Sequence, residues 1–321
     1  MRRILVTGAA GYVGGTLIRR LLADPDTEVV GVDLCEMDHG AEGVREIIDH
    51  PRLTLVREDV RNTAALAELL PGTDAVVHLA AIVGDPAGRR DPDKTRAINI
   101  DASVNLIDAS RDAGVGHFVF VSTCSNYGVS DTDNLVTEDG DLNPVSLYAE
   151  TKVAVEKRLM DEKTLPWTVC RFATVYGVGP RMRFDLTVNE FAIDALNEGV
   201  LEIYGEQFWR PYVHVEDAAR GVEMVLAQPD KSAFRVFNVG NSDENYTKRM
   251  MYELLKERLP SLEAKWVQID EDPRSYKVSF QRIKDELGYE TTWTVPSGMD
   301  QILDHARLGA FPDPKAARFR N

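Results

Sequence analysis

Cysteine is scarce in this chain: three among 321 residues, at positions 35, 124 and 170. The number is odd, and the spacings fit neither a disulfide framework nor a metal knuckle. A stapled secreted fold and a bound metal are therefore set aside, and a reducing, cytoplasmic setting is expected. Long apolar runs are also lacking. No stretch approaches the ~20 residues that a membrane span needs, and the first residues run straight into a strand pattern, so neither a membrane partner nor a cleaved signal is expected. Positive charge is in deficit, with Lys and Arg at 37 against Asp and Glu at 52, a net charge of −15 and a pI near 4.9. That balance argues against a nucleic-acid partner, which needs clustered Lys and Arg. A few local arginines still suffice for an anionic ligand. Hydrophobic residues, at 44%, are plentiful enough for a large core, and the length suits two lobes or one extended domain.

The most informative stretch is residues 4–18. Ile4-Leu5-Val6 reads as a buried strand; Gly8, Gly11 and Gly14 follow; Leu17, Ile18, Leu21 and Leu22 then recur at helical spacing. A strand, a glycine-rich turn and a helix in that order make a phosphate cradle. Gly8 permits the tight turn, Gly11 leaves room for a pyrophosphate, and Gly14 lets the helix pack close to the strand. The helix N-terminus offers free N–H groups and a partial positive charge to the phosphates.

Val29-Val30-Gly31-Val32-Asp33 reads as the second strand. Its acid lies about twenty residues beyond the glycines, where a ribose diol sits in such a unit. A carboxylate accepts from both hydroxyls and repels a 2′-phosphate, so Asp33 favours NAD over NADP, unless it merely ends a strand. Leu53–Val56 is a third strand, and Asp59 beyond it either meets the adenine amino group or caps the next helix. Residues 75–81 form a fourth strand whose small carboxyl-end residues, Ala80 and Ala81, leave room for a cofactor. His78, inside that apolar run, reads as packed rather than catalytic. Residues 82–95, rich in Gly and Pro, read as a loop over the site. A helix over 96–113 carries Asn99, and residues 117–123 are a fifth strand. Alternation of strands and helices implies an α/β fold with a doubly wound parallel sheet, a Rossmann domain whose ligands bind outside the strand carboxyl ends.

Two features converge there: Ser122-Thr123-Cys124-Ser125, just after the fifth strand, and Tyr148-Ala-Glu-Thr-Lys152, entering a helix. Tyr148 and Lys152 are four apart and share one helix face. A phenol titrates near pH 10 and is a poor base at neutrality. A neighbouring ammonium and an oxidised nicotinamide stabilise the phenolate, which makes it a proton acceptor for an alcohol losing hydride. Thr123 supplies a hydroxyl to hold the reacting oxygen.

At this point the chain resembles the extended short-chain dehydrogenase/reductases, in particular the nucleotide-sugar epimerase/dehydratase branch typified by UDP-glucose 4-epimerase. The motifs are Thr7-Gly-Ala-Ala-Gly-Tyr-Val-Gly14, His78-Leu-Ala-Ala81, Ser122-Thr-Cys-Ser-Asn-Tyr-Gly128, Tyr148-Ala-Glu-Thr-Lys152, Arg171-Phe-Ala-Thr-Val-Tyr-Gly177, Arg210-Pro-Tyr-Val-His-Val-Glu-Asp217 and Phe237-Asn-Val-Gly240. The resemblance implies bound NAD, a catalytic Thr123/Tyr148/Lys152 set and a nucleoside-diphosphate sugar as substrate. Around the cofactor it implies Gly8, Gly11, Tyr12, Val13, Gly14 and Asp33, then Asp59, Val60, Leu79, Ala80 and Ala81, and finally Asn99, Ser122, Tyr148, Lys152 and Phe172. For the substrate it implies Val83, Thr123, Cys124, Ser125 and Tyr148, with Thr174, Asn189, Arg210 and Arg274 beyond them. A guanidinium fork suits two phosphate oxygens. The expected division is a Rossmann domain at 1–175 plus about 212–240, and a smaller α/β substrate lobe at 176–211 and 241–321. A homodimer through helices near 96–113 and 147–162 is also implied. The tail from 309 reads as poorly ordered.

The departures narrow the reaction. Sugar 4,6-dehydratases of this family carry an acidic pair after the catalytic Thr, which eliminates water. Here those positions hold Cys124 and Ser125. The same gap counts against decarboxylation. A 4-epimerase acting through a transient 4-keto sugar is therefore expected, ahead of a 4-ketoreductase. A dehydratase or a non-catalytic dinucleotide sensor ranks lower.

Overall fold

The computed structural model of the chain describes residues 1–36, 40–130, 133–269 and 274–320. Positions 272 and 273, part of the stretch around Arg274, lie outside the described residues. Strands β1 (Arg2–Thr7), β2 (Thr27–Asp33), β3 (Leu53–Arg57), β4 (Ala75–His78), β5 (His117–Thr123) and β6 (Trp167–Phe172) are all parallel. Every residue of β4, β5 and β6 is buried. Helices cover both faces of such a sheet, which is why these strands read as continuous apolar runs rather than alternating ones.

Helix α1 (Tyr12–Ala23) buries Leu17, Ile18, Leu21 and Leu22. Helix α2 (Thr63–Leu69) is capped by Asn62, whose side chain accepts from Ala65 N at 3.3 Å. The cap is therefore Asn62 and not Asp59, which instead pairs with Arg61 at 2.5 Å.

The segment 82–95 is not a loop. It holds helix α3 (Asp85–Arg90), and helix α4 (Pro92–Arg96) begins within it. Its punctuating residues sit where helices admit them. Gly84 precedes α3 at φ +89°, and Pro92 occupies the first turn of α4, where its missing N–H is no loss. The chain then passes through a wide π turn at Ala97–Asp101 into α5 (Ala102–Asp112). Helix α6 (Leu147–Asp161) starts at Ser146, whose side chain accepts from Ala149 N.

After β6 the chain changes sheets. Thr174 lies in β7 (Thr174–Tyr176), which belongs to a three-stranded sheet. Ala173 is the pivot, and its N–H donates to Val239 O at 3.1 Å. Helix α7 (Thr187–Glu198) leads to β8 (Val200–Tyr204) and β9 (Trp209–His214). Helix α8 (Val215–Ala227) packs back on α1, with Arg20 and Glu223 paired at 2.6 Å. Strand β10 (Arg235–Val239) then rejoins the main sheet beside β6. The main sheet has the order β3-β2-β1-β4-β5-β6-β10. The order reverses between β1 and β4, and a crevice opens there outside the strand carboxyl ends.

Strand β11 (Asn245–Thr247) completes the sheet of β7 and β9, while β12 (Glu263–Val267) pairs with β8. A second core gathers here around Tyr176, Phe184, Tyr212, Met251 and Met299. The tail joins it, contrary to expectation. Phe319 is buried, its ring 5.3 Å from that of Phe184, and its carbonyl accepts from Phe184 N at 2.9 Å. An aromatic side chain of this size anchors a tail that its proline and basic residues alone would leave loose.

Candidate active site

The crevice between β1 and β4 is made chiefly of backbone. Gly8 adopts φ +73°, and a Cβ there would stand 2.9 Å from Ala80 N. The turn therefore lies directly on the residues that follow β4, Leu79 and Ala80. A Cβ on Gly14 would meet Gly8 O at 2.0 Å, so only glycine lets α1 approach the turn. Gly11 differs. Its φ of −77° suits any residue, and its Cβ would find only Gly8 O, at 3.1 Å. What its lack of a side chain provides is open space at the helix start. No side chain caps α1, and its first turn holds no acid. The terminal N–H groups are thus left for an anion. A dinucleotide pyrophosphate fits this cradle.

Asp33 closes the turn from the end of β2. One carboxylate oxygen accepts from Ala10 N and the other from Cys35 N, each at 2.9 Å. The carboxylate is held in place beside the glycines and stays partly exposed. On the other side, Val13, Leu79, Ala80, Ala81 and Val83 are partly exposed, whereas Tyr12, Val60 and Phe172 are buried. Asn99 is buried in the π turn. Its amide accepts from Ile82 N at 2.8 Å and donates to Ile82 O and Thr151 Oγ1. It fastens the segment after β4 to α6, so it shapes the crevice from behind. His78 is fully buried between Thr7 Oγ1 and Ser103 Oγ, and burial pulls its pKa down to about 3. It is a neutral packed ring, in keeping with its place in an apolar run.

The residues expected to react lie one strand further along, on β5 and α6. Thr123 ends β5, and its hydroxyl accepts from Ser125 N at 3.1 Å. Tyr148 stands half-buried on the first turn of α6. One turn later, Lys152 Nζ donates to Val121 O at 2.8 Å and lies 4.7 Å from the Phe120 ring centroid and 5.9 Å from that of Tyr148. Burial lowers the Lys152 pKa to about 8, with the Glu156 carboxylate opposing that shift. An ammonium thus sits beside the phenol, as the spacing implied.

Behind these groups lies a buried polar network that the sequence motifs did not announce. Arg171 on β6 is paired with Glu156 at 2.6 Å and reaches Tyr127 and the carbonyl of Glu138. Tyr127 Oη donates to Asn238 on β10 at 2.7 Å. The one available signal was the position of Glu156, four residues past Lys152 on the same face of α6.

Three expected contacts turn inward. Ser122 is buried and gives its hydroxyl to Glu156. The Cys124 thiol points at Arg171 O, 3.4 Å away, and burial pushes its pKa well up. Asn189 is fully buried, and its amide binds Gly177 N and Arg183 O, each at 2.8 Å. Their side chains are engaged within the protein. Ser125, by contrast, accepts a hydrogen bond from Tyr276 Oη at 3.3 Å. Arg210 lies over the same Tyr276 ring, 5.4 Å from its centroid. Arg274 follows two residues before that ring in the chain. Thr174 is partly exposed at the sheet change. No group of His, Cys, Asp or Glu among the described residues is arranged to hold a metal. No described helix is long and apolar enough to cross a membrane.

The profile of the NAD dependent epimerase/dehydratase family matches residues 4–240. An uncharacterized UDP-glucose epimerase, YtcB, of Bacillus subtilis is 34% identical over 250 residues, 75% of this chain and 77% of that one. Among solved structures, the dTDP-glucose 4,6-dehydratase DesIV of Streptomyces venezuelae, with NAD bound, superposes with a TM-score of 0.84 at 28% identity. The match covers 96% of this chain and 98% of that one. The UDP-glucuronic acid 4-epimerase of Bacillus cereus, in complex with UDP-glucuronic acid and NAD, gives 0.82 at 26%, covering 95% and 99%. With the glycine cradle, the placed Asp33 and the Tyr148/Lys152 pair at one sheet edge, these matches settle the assignment: the chain is an enzyme of the NAD dependent epimerase/dehydratase family, with NAD as its cofactor.

Proposed function

We propose that the enzyme is a nucleotide-sugar 4-epimerase that keeps one NAD through the cycle. The observation that carries this reading lies beside Thr123. Cys124 is buried with its thiol turned to Arg171 O, and Ser125 is engaged with Tyr276. Neither position offers a carboxylate to abstract or donate the protons of an elimination. Hydride chemistry without loss of water or carbon dioxide remains.

NAD, when bound, supplies a hydride acceptor and donor. Gly8, Gly11 and Gly14 would hold its pyrophosphate at the start of α1, and Asp33 its ribose. Tyr148 takes the proton of the sugar 4-hydroxyl, and Thr123 holds the same oxygen by a hydrogen bond. Lys152 keeps the phenolate charged. The flat 4-keto sugar turns over in the site and is reduced on its opposite face, with Tyr148 returning the proton. Net redox is zero. Arg210 and Arg274 are assigned to the diphosphate, and residues 176–211 and 241–321 to the sugar-nucleotide lobe. A homodimer through the helices near 96–113 and 147–162, in a cytoplasmic setting, completes the reading.

The test is to incubate freshly purified enzyme with UDP-glucose, UDP-glucuronate or dTDP-glucose and follow products by proton NMR and absorbance at 340 nm. Inversion at C4 with no net change in absorbance is expected. Tyr148→Phe should retain NAD and lose turnover by about 10²–10⁴-fold. A 4-keto-6-deoxy or decarboxylated product would overturn the reading. Stoichiometric oxidation of added NADH by a 4-keto sugar would replace it with a ketoreductase.

A further inference from the structure

Helix α6 carries three functional side chains on one face, at 148, 152 and 156, each one turn after the last. The third, Glu156, is fully buried and fully engaged. It accepts from Ser122 Oγ, from Asn126 Nδ2 at 2.8 Å, and from Arg171 Nε and Nη2 at 3.1 and 2.6 Å. Ser122 immediately precedes Thr123, and Asn126 lies in the turn that follows it. One carboxylate thus grips the side chains on both sides of the hydroxyl that is to hold the sugar oxygen.

A buried ion pair is an inefficient way to fasten a helix to a sheet, because desolvation offsets most of its attraction, and packed apolar groups serve as well or better. What an apolar pair cannot do is place negative charge beside Lys152. The surroundings of that ammonium are otherwise neutral or positive. From α6 it faces Tyr148 and Glu156. From β5 it faces the Phe120 ring and the Val121 carbonyl. From β4 it faces His78, which burial keeps uncharged, and Arg171 lies beyond Glu156 on β6.

We propose that Glu156 is a positioning residue for the Thr123/Tyr148/Lys152 set, serving as the counter-charge of the buried Lys152 ammonium while pinning Ser122 and Asn126 around Thr123. This rests on the catalytic roles given above to Tyr148 and Lys152. Arg171 completes the arrangement by fixing the carboxylate's orientation. The direction of the effect follows from charge. Burial already draws the Lys152 proton off at about pH 8, and Glu156 is the group that opposes it. Loss of the carboxylate would lower the midpoint further and leave neutral lysine beside Tyr148 at physiological pH.

The experiment uses the NAD-loaded enzyme without substrate, labelled with ¹³C-lysine. The Cε resonance of Lys152 is identified by its loss in Lys152→Arg and titrated by NMR. Glu156→Gln should lower its midpoint by about one pH unit. Because that variant leaves Arg171 buried without its partner, Glu156→Gln/Arg171→Met is titrated alongside; it leaves no arginine charge unpaired, and its midpoint should also fall. The alkaline limb of turnover should shift with the midpoint, with kcat reduced about tenfold or more and KM changed little. A merely structural Glu156 would lower the melting temperature and leave the Lys152 midpoint alone. A folded double variant whose midpoint stays within about 0.3 units of the native one overturns the proposal. The titration needs no substrate, so its failure is separate from failure of the epimerase reading, which is decided by the products of the unaltered enzyme.

Discussion

The two sides of the crevice are built from different materials. The cofactor side is backbone: a turn with Gly8 at φ +73°, a helix start with no side-chain cap, and one carboxylate, Asp33, tied to two N–H groups. The chemical side is made of side chains from β5, α6, β6 and β10, joined through Glu156, Arg171, Tyr127 and Asn238. A backbone site needs residues that are small and close in sequence. A side-chain site needs charges that satisfy one another across the fold. The first leaves no room for an added atom at Gly8 and Gly14, and the second tolerates no removed charge.

That contrast can be broken at the charge side first. Arg171→Met leaves Glu156 buried without its ion-pair partner, and a loss of about 3–5 kcal/mol is expected. Denaturant melts of the purified variant check it; a loss below about 1 kcal/mol would show that the network is not held by charge. On the backbone side, Gly14→Ala sets a methyl against Gly8 O, where the neighbouring atoms are backbone and cannot swing away. Overpacking of about 1–3 kcal/mol is expected, with loss of co-purified NAD measured by mass spectrometry of the released ligand. The smallest effect belongs to Asp33→Asn. It keeps a hydrogen-bonding side chain but removes the charge that repels a 2′-phosphate, and the preference for NAD over NADP should shrink by about tenfold in paired binding titrations. An unchanged preference would move the selectivity elsewhere in the cradle.

The same contrast explains what could be read from the sequence. Gly8, Gly11, Gly14 and Asp33 lie within one strand–turn–strand span, so their joint geometry was legible from spacing. Tyr148 and Lys152 were legible because both sit on one helix. The parallel sheet followed from buried apolar runs alternating with helical patterns, while the order of its strands came only with the structure. The network was not legible, since Glu156 meets Arg171 and Ser122 only after β5, β6 and α6 have assembled. The bonds of Asn189 were hidden for the same reason: its place in a helix pattern says nothing about the Gly177 and Arg183 backbone that its amide meets. The stretch 82–95 was misread because Gly84 and Pro92 signal helix starts as well as loops. The change of sheet at Ala173 was not legible either, since nothing in Arg171–Tyr176 marks it.

The wide turn at Ala97–Asp101 has a bearing on how this chain can vary. A helix with such a turn carries one residue beyond what its regular ladder requires. Deleting a single residue there would restore an ordinary helix and rotate everything upstream by about 100°. Asn99 would swing away from Ile82, and α4 would present a different side to α6. The length of this segment is therefore constrained as tightly as its composition, and in related sequences gaps should be rarer across it than across the surface loops nearby.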